Sequence, residues 1–583
     1  MQLRYSLPVV VLTLFNLSGL QAQTGIMTTN PVAEQILLGN YTPADYSASS
    51  VIADLEPVAS GIHAAVSPDS LKAYILQLSE FGTRNTGSDT VSTTTGIGAA
   101  RRWVFDKFTE FSARNENRLV VSYLQFNQDI CGNGQHRNVM AILPGSNPGR
   151  NGVVLIEGHL DSRCALVCDV NCLAEGVEDN ASGTALVMEL ARVMSRYTFE
   201  NTIVFMATIG EEQGLLGAEA FAQYIKNKNI PLRAVLNNDI VGGVICGKTS
   251  SPPSCPGLND IDSTHVRLFS AGDFYSLHKQ LARFIKLEYQ ENIRPSAVVP
   301  MEVLIMSPED RSGRSGDHIP FRQKDYPSMR FTSANEHGNA SNGPDYMDRQ
   351  HTSGDVLGVD TDGDGTIDSF FVQFNYLARN AVINGNAAAI AARNVPTPQD
   401  FTALRSNAGL IDVNIIDPAQ IGDYRVALRT IGTDWDTVYT LNGATLGTFP
   451  APPAGPLFVS VAAVDEQGGE SLFTNEKLVL VTGTSAPGTA EQERNIQLFQ
   501  NRPNPFDEAT WISFWVKVVP NYHQAAIQIT TMEGKVIEQI PVLLQQGVNE
   551  VLYTHGYGAR GTLAYTLLID GRAVETRQMI FAN

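Results

Sequence analysis

The sequence predicts an α/β protein: a three-layer, mostly parallel sheet with helices on both faces, followed by two β-sandwich domains. Three observations lead there. Val153-Val154-Leu155-Ile156, Ile203-Val204-Phe205-Met206 and Ala234-Val235-Leu236 are short apolar runs of strand length. Between the first two, Leu186, Leu190 and Val193 recur at helical spacing within 185–194, and a second helix is expected around 218–226. That alternation is the signature of a parallel sheet covered by helices. After Val395-Pro396-Thr397-Pro398 the texture changes to alternating runs divided by Gly, Pro, Asp and Asn, as in antiparallel sheets.

Taken in chain order, residues 1–22 place Arg4 before an apolar run from Leu7 to Leu14 and small residues toward Ala22, the layout of a secretory signal too short to span a bilayer. Residues 23–60 form an N-terminal segment and candidate propeptide, and 61–395 the catalytic unit. A β unit at 396–482, a linker at 483–494 and a final β unit at 495–583 complete the chain. No further segment approaches membrane length. The net charge of −19 argues against nucleic acid or anionic membrane as a partner. Six cysteines in an exported chain point to disulfides, with Cys246 and Cys255 the easiest local pair and the other connectivities open.

The chemistry is concentrated in Gly158-His159-Leu160-Asp161, Glu178-Asp179-Asn180-Ala181-Ser182-Gly183, Gly210-Glu211-Glu212, Asn238-Asp239 and His351-Thr352. His159, His351, Asp179, Glu212 and Asp239 supply two imidazoles and three carboxylates as metal ligands, and Glu211 is left over beside them. The charge balance asks for two zinc ions. Their four positive charges are met by the three carboxylates and one hydroxide, whereas a lone zinc would leave excess buried carboxylate. Each apolar run is followed within a few residues by one of these ligands, which puts the site at the carboxyl ends of the strands.

From Phe81-Gly82-Thr83-Arg84 through Arg137-Asn138-Val139 and Leu143-Pro144-Gly145 to His351, the motifs resemble those of the di-zinc aminopeptidase family. That family includes secreted bacterial leucine aminopeptidases and, more distantly, glutamate carboxypeptidase II. The resemblance spans roughly residues 60 to 395. It implies that Asp179 bridges both zincs, that His159 and Asp239 complete one site and Glu212 and His351 the other, that Asp161 orients the His159 imidazole, and that Glu211 is the general base. An exported zinc-dependent aminopeptidase follows, hydrolysing N-terminal residues from peptides with a free N-terminus by a metal-bound hydroxide. One departure stands out: several members carry a Tyr just before the last His ligand, and here that residue is Gln350. Tyr346 and the 311–318 segment offer substitutes, the oxyanion contact is unassigned, and His318 is a weaker catalytic candidate.

The β units carry resemblances of their own. Tyr424-Arg425-Val426-Ala427-Leu428, Thr437-Val438-Tyr439-Thr440-Leu441 and Leu457-Phe458-Val459-Ser460-Val461 look like the strands of a fibronectin type III domain. Leu498-Phe499-Gln500-Asn501-Arg502-Pro503-Asn504-Pro505-Phe506 with Trp511-Ile512-Ser513-Phe514 resembles the C-terminal sorting domain of type IX secretion. This implies passage across the outer membrane to a secreted or cell-surface location, with the secretion machinery as partner. Asp360, Asp362, Asp364 and Asp368 sit at calcium-loop spacing, but position twelve is Phe371 where an EF-hand has Glu. A structural calcium and a solvated acidic loop both stand. The competing functions are a carboxypeptidase or glutaminyl cyclase on the same fold, and an inactive surface adhesion or peptide-binding protein.

Overall fold

In a computed structural model of the chain, the described residues are 23–150, 152–246, 260–272, 276–306, 309–310, 314–334, 349–393, 395–406, 409–430, 432–452, 457–479, 495–506, 509–532, 534–555 and 561–581. The expected signal at 1–22, the linker at 483–494, Cys255 and Tyr346 lie outside them.

A nine-stranded sheet organises the first part of the molecule. Its strands are β1 Thr24–Thr28, β2 Val120–Ile130, β3 Asn133–Leu143, β4 Val153–His159, β5 Thr202–Thr208, β6 Leu232–Asn238, β7 His265–Phe269, β8 Glu302–Ile305 and β9 Ser328–Ser333, in the order β1-β2-β3-β5-β4-β6-β9-β7-β8. The expected parallel arrangement holds at the centre, where β5, β4, β6 and β9 run together. Toward the edges the sheet is mixed. β2 and β3 are joined by Cys131-Gly132, both at positive φ, a two-residue connection that can only form an antiparallel hairpin.

The helices are α1 Pro31–Leu37, α2 Leu55–Ala65, α3 Pro68–Ser79, α4 Gly96–Arg114, α5 Ser182–Met194, α6 Leu216–Lys228, α7 Leu277–Glu288, α8 His318–Arg322 and α9 Phe374–Ala391. Side chains of a strand alternate between faces, so Val154 and Ile156 of β4 pack with α2, α3, α4, α5, α7 and α9, while Val153 and Leu155 pack with α1, α6 and α8. Every residue of β4 and β5 is buried, as strands covered on both faces must be. The 23–60 segment is built into this layer: β1 is the edge strand of the sheet, and Ala33, Ile36 and Leu37 of α1 are buried under it. Among the described residues, no helix is long and apolar enough to cross a membrane.

The second part is antiparallel. A short ladder of β10 Gly358–Val359 and β11 Ser369–Phe370 precedes it. Strands β12 Asp400–Ser406, β13 Leu410–Ile416 and β16 Leu446–Pro450 form one sheet; β15 Thr437–Leu441, β14 Asp423–Arg429, β17 Leu457–Val464 and β18 Lys477–Val479 form another. Both contribute to one apolar cluster around Phe401, Val413, Val426 and Val461. A further pair of sheets follows, β19 Ile496–Leu498 with β20 Ala509–Val516 and β23 Gly547–Thr554, and β22 Val536–Pro541 with β21 Ala525–Thr531, β24 Gly561–Ile569 and β25 Arg572–Phe581. Its cluster centres on Phe514, Ile527, Tyr565 and Leu567.

Candidate metal centre

The strand ends deliver the candidate ligands. His159 is the last residue of β4, Asp239 directly follows β6, and Glu211 and Glu212 lie just past β5. Asp179 comes from the turn that leads into α5. That turn can approach the sheet because Gly158 and Gly183 leave room: a Cβ at Gly183 would stand 2.1 Å from the Asn238 carbonyl oxygen, and one at Gly158 would stand 2.8 Å from Gly183. His351 arrives from a distant loop with φ +57, in the left-handed region that costs a non-glycine residue and persists only where surroundings hold it.

Two groups of donors result. His159, Asp179 and Asp239 bring one ligand atom each within 4.8 Å of one another, and so do Asp179, Glu212 and His351. His159 Nε2 is 3.2 Å from Asp179 Oδ1 and 3.3 Å from Asp239 Oδ1; His351 Nε2 is 3.0 Å from Asp179 Oδ2 and 3.2 Å from Glu212 Oε2. Asp179 thus turns one oxygen to each group. Burial opposes its charge, yet hydrogen bonding to His159 and His351 holds its carboxyl well below the ordinary value. The donor set fits zinc: imidazole nitrogens and carboxylate oxygens crowd together in a buried site, and Glu212 Oε1 is buried with no partner.

The surrounding residues position these groups in ways the motifs did not announce. Asp161, expected to orient the His159 imidazole, does so through its backbone: His159 Nδ1 is 3.0 Å from the Asp161 carbonyl oxygen and 3.6 Å from its carboxylate. The carboxylate itself accepts hydrogen bonds from the backbone N–H groups of Glu211 at 3.3 Å and Glu212 at 3.2 Å, and from the Thr86 hydroxyl. It therefore sets both glutamates at once. Asp355, four residues after His351, accepts from the backbone N–H groups of Glu178 and Asp179, each at 2.9 Å. Arg330 of β9 places Nη2 3.1 Å from Asp239 Oδ2, leaving Oδ1 to the first group. Arg84, fully buried, donates to the carbonyls of Leu160, Glu175 and Gly176 and so ties the exit of β4 to the turn before Asp179.

Glu211 belongs to neither donor group. Burial, with Asp239 and Glu212 nearby, raises its affinity for protons well above the ordinary carboxylate value even though His159 pulls the other way. His318 is buried with Nε2 3.3 Å from the Glu309 carbonyl oxygen, and burial lowers its pKa to about 4. It is in neither group. Gln350 is buried beside His351. Asp360, Asp362 and Asp368 also come within 4.8 Å, on an exposed loop. There Asp360 accepts from the N–H groups of Gly363 and Gly365 and Asp364 from that of Thr366, bonds that shape the loop. Among the described residues, Cys164–Cys172 closes the loop after β4, Cys131–Cys168 ties that loop to the β2–β3 turn, and Cys246 is disulfide-bonded as well.

Residues 138–369 match Peptidase family M28. A probable zinc metalloprotease of Leptosphaeria maculans is 31% identical over 395 residues, covering 66% of this chain and 86% of that protein. Another, of Pyrenophora tritici-repentis, is 36% identical over 399 residues, covering 65% of this chain and 88% of that protein. Among solved structures, the LapA aminopeptidase of Legionella pneumophila superposes with a TM-score of 0.41 at 17% identity, over 59% of this chain and 77% of that one.

Proposed function

The chain belongs to peptidase family M28 and is a zinc metallopeptidase, and from that premise we propose that it is an aminopeptidase that works with two zinc ions and releases the N-terminal residue of peptides. The observation that carries this reading is the sharing of Asp179 between two three-donor groups, with Glu211 beside them and engaged by neither. His159, Asp179 and Asp239 would hold one zinc, and Asp179, Glu212 and His351 the other. When bound, the metal polarises a carbonyl and makes water a stronger acid.

The chain's own residues do the rest. Glu211 takes a proton from water and returns it to the departing amine. Its raised affinity for protons suits a carboxylate that must hold one for part of each cycle. Asp161 keeps Glu211 and Glu212 in register through their backbone N–H groups, so the base and its neighbouring ligand move together. The order of motifs shared with secreted bacterial leucine aminopeptidases supports action at the amino end. Export belongs to the same proposal and rests on the secretory pattern of residues 1–22 and the sorting-like motifs of 495–583.

Purified protein assayed on free and N-acetylated aminoacyl-p-nitroanilides, with zinc measured per chain, tests the reading. Cleavage of the free but not the acetylated substrates, with two zincs bound, is expected. Release of C-terminal residues, or cyclisation of N-terminal glutamine with one zinc bound, would replace it with the carboxypeptidase or cyclase reading. Asp179→Asn should empty both groups, whereas Glu211→Gln should retain zinc and lose about 10²–10⁴ in kcat. Glu212→Gln should lower zinc occupancy instead.

A further inference from the structure

Helix α9 is mostly buried, and in its 18 residues it carries a single charged side chain, Arg379. That guanidinium is half-buried. Its Nη2 donates to the Ser263 carbonyl at 2.6 Å and its Nε lies 3.3 Å from Met301 Sδ, so Nη1 takes part in neither bond. Burial lowers its hold on its proton while Tyr376 and Tyr289 act the other way, and among the described residues no carboxylate adds to them. A cation drawn out of water is normally matched by a counter-charge. The same guanidinium lines a cavity of about 510 Å³. Val66, Ile293, Met301, Ala378 and Val382 give it buried apolar walls, and Val298, 95% exposed, stands at its edge. No Asp or Glu is in the lining, in a chain whose net charge is −19. An apolar enclosure of this size with one charge turned into it is how small-ligand sites are built.

We propose that this cavity is a second binding site, for a carboxylate carried on an apolar group, with Arg379 taking the charge and the walls taking the apolar part. A free amino acid fits poorly, because the lining offers its ammonium no carboxylate. Two sources share the favoured chemistry: the C-terminal residue of a peptide substrate, and a free apolar acid. Position speaks for the first. Ser263 precedes β7, whose Val266 is opposite Ser333 at the end of β9, and β9 runs parallel to β6, which leads into Asp239. The cavity is therefore at the same end of the sheet as the donor groups, two strand spacings or about 10 Å to the side. The peptide source rests on the aminopeptidase reading above and narrows its substrate class. At about 3.3–3.6 Å per extended residue, a peptide whose first residue is at the donor groups needs about four or more residues to bring its terminal carboxylate to Arg379.

The test is calorimetric titration of the full-length chain with N-acetyl-leucine, and with N-acetyl-leucinamide as the same molecule without the charge. The acid should bind, and the amide at least about tenfold more weakly. Arg379→Gln should weaken the acid by that factor. Val298→Asp, at an exposed edge residue, should weaken it by repulsion and carries the test if the first variant does not fold. No binding of the acid, equal binding of acid and amide, or acid binding untouched by both substitutions overturns the proposal. A second measurement separates the sources: kcat/KM on a five-residue peptide ending in leucine, as free acid and as C-terminal amide. A preference for the acid of about fivefold or more that collapses to about one in Arg379→Gln makes the peptide the ligand. No preference, with N-acetyl-leucine still bound through Arg379, makes it a free acid. No turnover of any aminoacyl substrate, with that binding intact, would overturn the aminopeptidase reading and leave the cavity assigned.

Discussion

The two β-rich regions meet the rest of the molecule in different ways. The sheets of 400–479 share buried chemistry with α7 of the catalytic layer: Leu287 joins Ala427, Ala462 and Phe473 in one apolar cluster, and Trp435 lies against Phe473 with ring centroids 4.1 Å apart. Arg283 Nη1 is 3.0 Å from Glu476, both fully buried, and Glu476 also pairs with Arg429 at 2.6 Å. Arg283 Nε donates to the Thr433 carbonyl, Gln280 to that of Thr474, and Lys286 pairs with Asp434. By contrast, every residue of the apolar cluster in 496–581 comes from that region itself. Charged groups reach out of it: the Arg502 guanidinium is 3.6 Å from the space a Cβ at Gly432 would fill, and Glu550 acts electrostatically on Lys279 of α7. A covalent tail can thus be a structural part of an enzyme or a passenger on it, and buried surface decides which.

The largest expected effect is from removing the docked region. A chain ending at residue 395 uncovers Arg283 and Leu287, 2% and 8% exposed in the intact molecule, and should lose several kcal/mol of stability or fail to fold. A truncated catalytic unit as stable to urea as the full chain would show the joint to be incidental. Next comes Glu476→Ala, which leaves Arg283 and Arg429 buried without their carboxylate and should cost about 3–5 kcal/mol in urea unfolding. A loss below about 1 kcal/mol would mean that water relieves both cations.

The joint should also be sensitive to pH. Burial pushes the Glu470 carboxyl from 4.5 up to about 7 despite Arg425, with Glu291 adding to the rise; burial likewise raises Glu288, which faces Glu470 across the joint. A carboxyl that binds protons more tightly when folded stabilises the fold while protonated. That contribution is complete below about pH 4.5 and is lost as pH climbs through about 7, a change of about 3 kcal/mol for this shift. The urea midpoint of wild type should therefore fall relative to that of Glu470→Gln between about pH 5 and 8. Parallel profiles for the two proteins would remove Glu470 from the account.

The smallest effect belongs to the self-contained region. Truncation after residue 485 should leave kcat/KM on a small aminoacyl substrate within about twofold, since 496–581 adds no residue to either donor group. In a host with type IX secretion, the truncated enzyme should accumulate in the periplasm. Loss of activity in the purified protein would break the contrast between the regions, and normal export would sink the sorting reading.

The donor groups were legible in the sequence because zinc accepts few residue types and the strand ends carry them in short motifs. His159 with Asp161, and Glu211 with Glu212, stand close enough along the chain to be recognised together. Their supports were not. Asp355 acts on Asp179 from 176 residues away and Arg163 on His351 from 188, and a lone Asp or Arg has no local signature of such a task. The role of Asp161 was half legible: its nearness to His159 suggested a carboxylate–imidazole contact, but the loop after β5 offers its carboxylate two backbone N–H groups, and the imidazole takes the carbonyl instead.

Taken alone, the sequence carried the layered α/β plan and the residues that the fold gathers into two donor groups, because apolar periodicity and the choice of donor types are both local properties of a chain. Tertiary structure decided which oxygens turn toward each donor group, which arginines contact them, and how the 400–479 region is joined to α7. Those outcomes depend on distances of about 3 Å between residues far apart in sequence, where electrostatics and burial act and spacing along the chain carries no information.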